Sequence, residues 1–128
     1  MNKFWLIGFT EAEGSFYLVK KDNSRLVHAF EITQKLDIIV LNSIAHILGI
    51  RVVGKNTYNT VVTTNSRAIS NIIIYFRNTM KGMKALEYRI WSQSYTKHKG
   101  NYQKLDETRN FMRNIRSIRL DKNWYIKN

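Results

Sequence analysis

The chain has 128 residues, 21 of them Lys or Arg and 9 Asp or Glu, for a formal charge of +12. That length holds one domain with a modest core, and 44% hydrophobic residues with 12% aromatics exclude wholesale disorder. Cysteine is absent and the only histidines are His28, His46 and His98, which excludes disulfides, thiolate catalysis and zinc fingers; any metal must be held by oxygen.

No window approaches the ~20 apolar residues that cross a bilayer, and the N-terminus lacks the order of a secretory signal, so a soluble, non-exported protein with no membrane partner is expected. The excess of cations points to a polyanion, nucleic acid ahead of acidic membranes, because each Lys or Arg placed on a phosphate releases a condensed counterion. Proline is absent and no Ser/Gly tract marks a linker, so residues 1–128 read as one continuous domain with a helical C-terminal extension over about 100–128.

In chain order, residues 4–13 have helical character, and Gly14 stands where a left-handed C-cap would sit. Phe16 and Leu18 alternate with Ser15, Tyr17 and Lys21, and residues 26–33 alternate likewise after the turn Asp22-Asn23-Ser24, predicting a β-hairpin. Leu36, Ile39, Val40, Ile44, Ile47 and Leu48 recur at helical spacing up to Gly49, a second C-cap candidate. Residues 50–55 and 58–64, rich in Val and Thr around Asn56-Thr57, predict another hairpin. Asn65 or Ser66 caps a helix through Phe76. Residues 84–97 form a further helix with Leu86 and Ile90 inward, joined by Tyr88 and Trp91, and residues 102–120 another. The fold class is α+β with the order αββαββα, its four strands forming one antiparallel sheet with helices on one face.

The first helix breaks local rules twice. Gly8 sits in its interior, where glycine is worse than alanine by about 1 kcal/mol. Gly8 and Ala12 are four apart, so they form a smooth stripe on which a second helix can lie closely, either from another copy of the chain or from a similar half of a longer parent. Glu13 places a carboxylate at the negative end of the helix dipole, an arrangement that a cation would favour. If two such helices cross at the stripe, two Glu13 carboxylates and the helix-terminal carbonyls converge into a hard oxygen site suited to Mg²⁺. The plainer alternative leaves Glu13 as an exposed acid beside a turn and Gly8 in a tight core.

The run Leu6-Ile7-Gly8-Phe9-Thr10-Glu11-Ala12-Glu13-Gly14, followed by Ser15-Phe16, resembles the signature of the LAGLIDADG homing endonucleases. Thr33-Gln34-Lys35 before the second helix, Gly49 after it, and Lys81-Gly82-Met83-Lys84 leading into a helix with Tyr88 resemble later landmarks of one family half, so the similarity covers residues 3–120. The resemblance implies a metal-binding acid at Glu13 with the carbonyl of Gly14 beside it, and helix-interface positions at Gly8, Ala12, Leu6 and Phe9. It also implies a polar residue near metal-bound water at Gln34, and a lysine supporting the scissile phosphate at Lys84 or Lys81. Glu11 falls at a position that is usually structural in the family. Only one motif is present, so one chain supplies half of a site.

A twisted antiparallel ribbon fits the DNA major groove, where base edges carry a full donor and acceptor code. If Phe16, Leu18, Phe30 and Ile32 face the helices, alternation sends Ser15, Tyr17, Val19, Lys21, Val27, Ala29 and Glu31 to the opposite face, extended by Arg51, Val53 and Lys55. On the fourth strand, the set Asn59, Val61, Thr63 and the set Tyr58, Thr60, Val62 are equally eligible. Arg109, Arg113, Arg116 and Arg119 stack on one helical face, where they would meet phosphate. Lys97, His98 and Lys99 form a basic loop; His28 and His46 are structural.

The resemblance, with the charge and the sheet face, implies a Mg²⁺-dependent endonuclease acting on a long, partly symmetric DNA duplex, as a homodimer or as the C-terminal half of a two-motif enzyme. The alternative is a maturase that binds its own group I intron RNA. Abundant Ile, Asn, Lys and Tyr suggest AT-rich coding and, with the resemblance, a mitochondrial gene.

Overall fold

The computed structural model describes residues 2–34, 38–54 and 58–120, with the backbone alone at Gln34 and residues 118–120. Helix α1 (Lys3–Glu13) opens with Asn2, whose side chain accepts from the Trp5 amide at 2.8 Å. It ends without the expected left-handed cap. Gly14 has φ −83° and ψ 154° and begins strand β1 (Gly14–Asp22) at once. The glycine is needed for space instead, because a Cβ there would lie 2.7 Å from Thr10 Cγ2 and 2.8 Å from the Thr10 carbonyl oxygen. That carbonyl accepts the Gly14 amide, closing the last turn.

The first hairpin pairs β1 with β2 (Arg25–Gln34), and its turn is set by the Asp22 carboxylate accepting from the Ser24 amide at 2.9 Å. Helix α2 (Ile38–Leu48) follows. Here the left-handed cap is real: Gly49 has φ +70° and the Ile50 amide returns to the Ala45 carbonyl at 3.0 Å. Strands β3 (Arg51–Gly54) and β4 (Asn59–Thr63) form the second hairpin, and Asn65 caps α3 (Ser66–Phe76) by accepting from the Ala68 amide. That completes the order αββαββα, and helices α4 (Gly82–His98) and α5 (Tyr102–Leu120) are appended to it. The sheet is antiparallel throughout, in the order β1-β2-β4-β3. Among the described residues no helix is long and apolar enough to cross a membrane.

The predicted inner sheet face holds. Phe16, Leu18, Phe30 and Ile32 are buried, and Phe16 packs against Phe30, Tyr88 and Trp91 with ring centroids 5.3, 5.4 and 5.0 Å away. Burying each large aromatic stabilises the fold by roughly 1.5–3 kcal/mol. Two predicted helix faces are corrected. In α2 the buried stripe is Leu41, Ile44, Ala45 and Leu48 while Ile39 and Ile47 are exposed, because a helix apolar on nearly every side leaves the stripe's phase open to tertiary packing. In α4, Leu86 is exposed and the inward face is Lys84, Glu87, Tyr88, Trp91 and Ser94, since the two charges form a buried ion pair that takes the apolar phase. Leu36 and the Asn56-Thr57 turn lie outside the described residues.

Candidate active site and nucleic-acid face

Glu13 is the last residue of α1, exposed, with no basic residue in the final turn and no ion pair among the described residues. One peptide unit on, the Gly14 carbonyl accepts from Lys84 Nζ, so α4 delivers the predicted lysine to the end of the motif helix. Lys84 is almost fully buried, and its ammonium lies 2.9 Å from Glu87 Oε2. Arg116 of α5 approaches the other Glu87 oxygen at 2.8 Å and donates to the Phe16 carbonyl. Lys81 stands exposed at the N-cap of α4. The Gly14 oxygen thus accepts from Lys84, with its second lone pair uncommitted by that bond, and the exposed Glu13 carboxylate stands one residue before it.

A divalent cation needs several oxygens. Among the described residues no group of three or more acidic, histidine or cysteine side chains is placed to hold one. Glu13 by itself offers one carboxylate at the end of α1.

The stripe on α1 is open among the described residues. Gly8 and Ala12 are exposed, Phe4 and Trp5 are exposed beside them, and a Cβ on Gly8 would meet nothing within 4 Å. Nothing in the described part of the chain therefore requires glycine at that position, which removes the tight-core alternative. Phe9 is half-buried and stacks on Trp5 at 5.0 Å. Leu6, expected in the interface, is instead fully buried in the core, because the helix turns it onto the sheet.

Opposite the core, the sheet presents the face predicted from alternation, and the register resolves the fourth strand. Val61 pairs with Ile32 and faces inward; Thr60 and Val62, opposite Thr33 and Glu31, fall on the other face with Arg51 and Val53, although Thr60 is itself buried there, its hydroxyl donating to the Ile32 carbonyl at 3.1 Å. Tyr17 donates to Glu31 Oε1 at 2.9 Å, and Thr33 donates to Glu31 Oε2 at 3.0 Å, so the carboxylate is held from both sides. Burial pushes the Tyr17 hydroxyl up to about 12, with the Glu31 hydrogen bond and charge acting in the same direction. Ser15, Lys21, Arg51 and Val53 are exposed, and Val19, Val27 and Glu31 half-buried. Ala29 is the exception, fully buried beneath its larger neighbours, so it offers no contact surface. Lys21 falls at the β-bulge between Lys20 and Asp22. Lys55, the Gln34 side chain and the Arg119 side chain lie outside the described residues.

The arginine row divides. Arg113 is exposed; Arg116 is turned inward onto Glu87 and Phe16 rather than outward to phosphate, because a buried carboxylate draws it in. The Glu87 and Arg116 partnership escaped sequence reasoning altogether; the only signal was a charged pair, Lys84 and Glu87, on the phase of α4 that also carries Tyr88 and Trp91.

Comparison with known proteins agrees with this geometry. Residues 6–95 match the family model described as LAGLIDADG endonuclease. The chain belongs to the LAGLIDADG homing endonuclease family. It is 37% identical over 126 residues to the probable intron-encoded endonuclease Cox1-I1b of Schizosaccharomyces pombe, covering 91% of this chain and 33% of that protein. It therefore spans about a third of that relative's length. Among solved structures, the homing endonuclease I-TnaI superposes with a TM-score of 0.66 at 17% identity, covering 88% of this chain and 98% of that one. The meganuclease I-SmaMI bound to uncleaveable DNA gives 0.73 at 25% identity, covering 89% of this chain and 43% of that one. The same fold thus occurs in one solved chain of this size and in another about twice as long.

Proposed function

We propose that this chain is one half of a site-specific DNA endonuclease, completed by a second copy of itself or by a second domain of the same kind. The observation that carries the reading is the exposed Glu13, without an ion pair among the described residues, at the end of a helix whose Gly8 and Ala12 stripe is exposed there, with the Lys84 ammonium on the next carbonyl.

Glu13 and its counterpart would hold divalent ions, of which Mg²⁺ suits the hard carboxylate donors. When bound, the metal supplies charge relief at phosphorus and an acidified water. The chain's own residues do the rest. Glu13 provides carboxylate oxygens at the junction of the two halves. Lys84 Nζ offsets negative charge that develops nearby, and Gln34, the last residue of β2, is the polar group assigned to the attacking water. The open sheet face of Ser15, Tyr17, Val19, Lys21, Val27, Glu31, Arg51 and Val53 lies in the major groove, while exposed cations such as Arg113 contact phosphate. The positive charge of the chain supports a duplex partner, and the I-SmaMI likeness supports the same. The intron-encoded relative and the residue usage support an organellar, mitochondrial gene.

The test is cleavage of a duplex library with Mg²⁺. The native chain cuts a selected long target, whereas Glu13→Gln binds that target with an affinity changed less than about twofold and cuts at least about a hundredfold more slowly. Equal loss of binding and cutting would place Glu13 in folding. Tight binding of intron RNA by native protein that never nicks DNA would favour the maturase alternative.

A further inference from the structure

Helix α5 lies beyond the residues that the family model matches, yet it reaches back to the strand that follows the motif. Arg116 donates to the Phe16 carbonyl and, through Nε, to Glu87 Oε1 at 2.8 Å. Glu87 Oε2 lies 2.9 Å from Lys84 Nζ, and Lys84 donates to the Gly14 carbonyl. The Lys84, Glu87 and Arg116 side chains are 8%, 4% and 29% exposed.

This arrangement is a poor device for stability alone, since a buried ion pair recovers little more than its own desolvation. It is a good device for geometry. A lysine ammonium is a point charge on four rotatable bonds and does not hold a position unaided. Here one carboxylate oxygen fixes it and the other is fixed by a planar guanidinium. The guanidinium and the ammonium are anchored on carbonyls two residues apart in β1, immediately after Glu13.

We propose that Arg116 and Glu87 are positioning residues that clamp the Lys84 ammonium on the Gly14 carbonyl, which makes α5 part of the cleavage site. The functional half of this inference rests on the endonuclease reading. The clamp itself does not.

Lysine acetylation with acetic anhydride, read residue by residue by mass spectrometry on the full chain, tests the clamp. In the native protein Lys84 reacts far more slowly than Lys81 and Lys104. In Arg116→Met and Glu87→Gln, Lys84 accelerates at least about fivefold while Lys81 and Lys104 keep their rates, the pattern of a local opening. If Arg116→Met unfolds and all lysines accelerate, Arg116→Lys decides, because it keeps the charge and loses the planar fork; Lys84 alone should accelerate. Unchanged Lys84 reactivity in the folded variants overturns the clamp.

On the same proteins, single-turnover cleavage of a selected duplex at saturating protein falls at least about tenfold with an unchanged dissociation constant, and the Arg116→Met, Lys84→Met double variant loses no more than Lys84→Met, as for residues acting as a unit. Faster Lys84 labelling with unchanged cleavage overturns the positioning role. Selective labelling in a native protein that cuts no DNA overturns the endonuclease reading and leaves the clamp in place.

Discussion

His28 Nε2 and Ser94 Oγ, 66 residues apart in sequence, lie 2.8 Å from each other in the core. Ser94 Oγ also donates to the Trp91 carbonyl at 2.8 Å, so its hydroxyl hydrogen is committed and its lone pair receives the Nε2 hydrogen of a neutral imidazole. The ring edge packs at 5.7 Å from Trp91 and 5.1 Å from Tyr95. Burial pushes the His28 pKa down to about 4, and the Lys99 charge pushes in the same direction against the Trp91 backbone.

A pH dependence of stability follows. The unfolded histidine titrates near 6.5, so between there and about 4 the unfolded chain binds a proton that the folded chain refuses. The His28 contribution is complete above pH 6.5 and is lost as pH falls through 4, on the order of 3 kcal/mol across the span. Urea unfolding at pH 7, 5.5 and 4 measures this, and His28→Phe, which keeps the ring contacts, should flatten the curve. Parallel curves for the two proteins would show that other groups govern the acid limb.

Gly8 should give opposite signs for folding and assembly. A methyl group there meets nothing, so Gly8→Ala stabilises the folded chain by up to about 1 kcal/mol through helix propensity. Gly8→Leu leaves the chain folded but bars close approach of a second helix. Sedimentation should show native protein at twice its 15.2 kDa chain mass if it self-associates, and Gly8→Leu at the chain mass. A dimer unaffected by leucine would move the interface off this stripe.

Gly14 is the contrasting case. Its φ of −83° suits any residue, but Thr10 crowds the Cβ position from both its side chain and its carbonyl. Gly14→Ala should destabilise by about 1–3 kcal/mol by overpacking. Shortening the neighbour in Thr10→Ser, Gly14→Ala should recover part of that loss in thermal unfolding; no recovery would locate the strain in the backbone contact alone.

Glu31 is held by Tyr17 and Thr33 on the open sheet face, and under the proposed DNA reading its fixed carboxylate would accept from a cytosine amino group. Glu31→Gln should relax preference at one base pair of a selected target by about 1–3 kcal/mol, while Tyr17→Phe weakens the same preference less. Cleavage profiles across a randomised target report both. A uniform loss over every position would mean that Glu31 contributes to folding rather than to base choice.

The order of elements was legible because the strands alternate cleanly and Asp22, Gly49 and Asn65 act through their own side chains or backbone conformation, which is local chemistry. The candidate site was legible only in part. Glu13 and Gly8 announce themselves by violating helix preferences, Ala12 by its spacing four residues from Gly8, and Lys84 was found through a family landmark. Glu87 and Arg116 were not legible, because their partnership joins two helices about thirty positions apart and no local spacing encodes it. The side of β4 that faces out was likewise decided by pairing with β2, which a strand rich in Val and Thr on both sides does not disclose.

Strand β1 borders the sheet, and three of its carbonyls, those of Gly14, Phe16 and Tyr17, accept from Lys84, Arg116 and the Trp91 indole. A border strand with open acceptors is a template for uncontrolled polymerisation. Here those three acceptors are already taken by side chains from two helices, so this border is a poor place for a foreign strand to add.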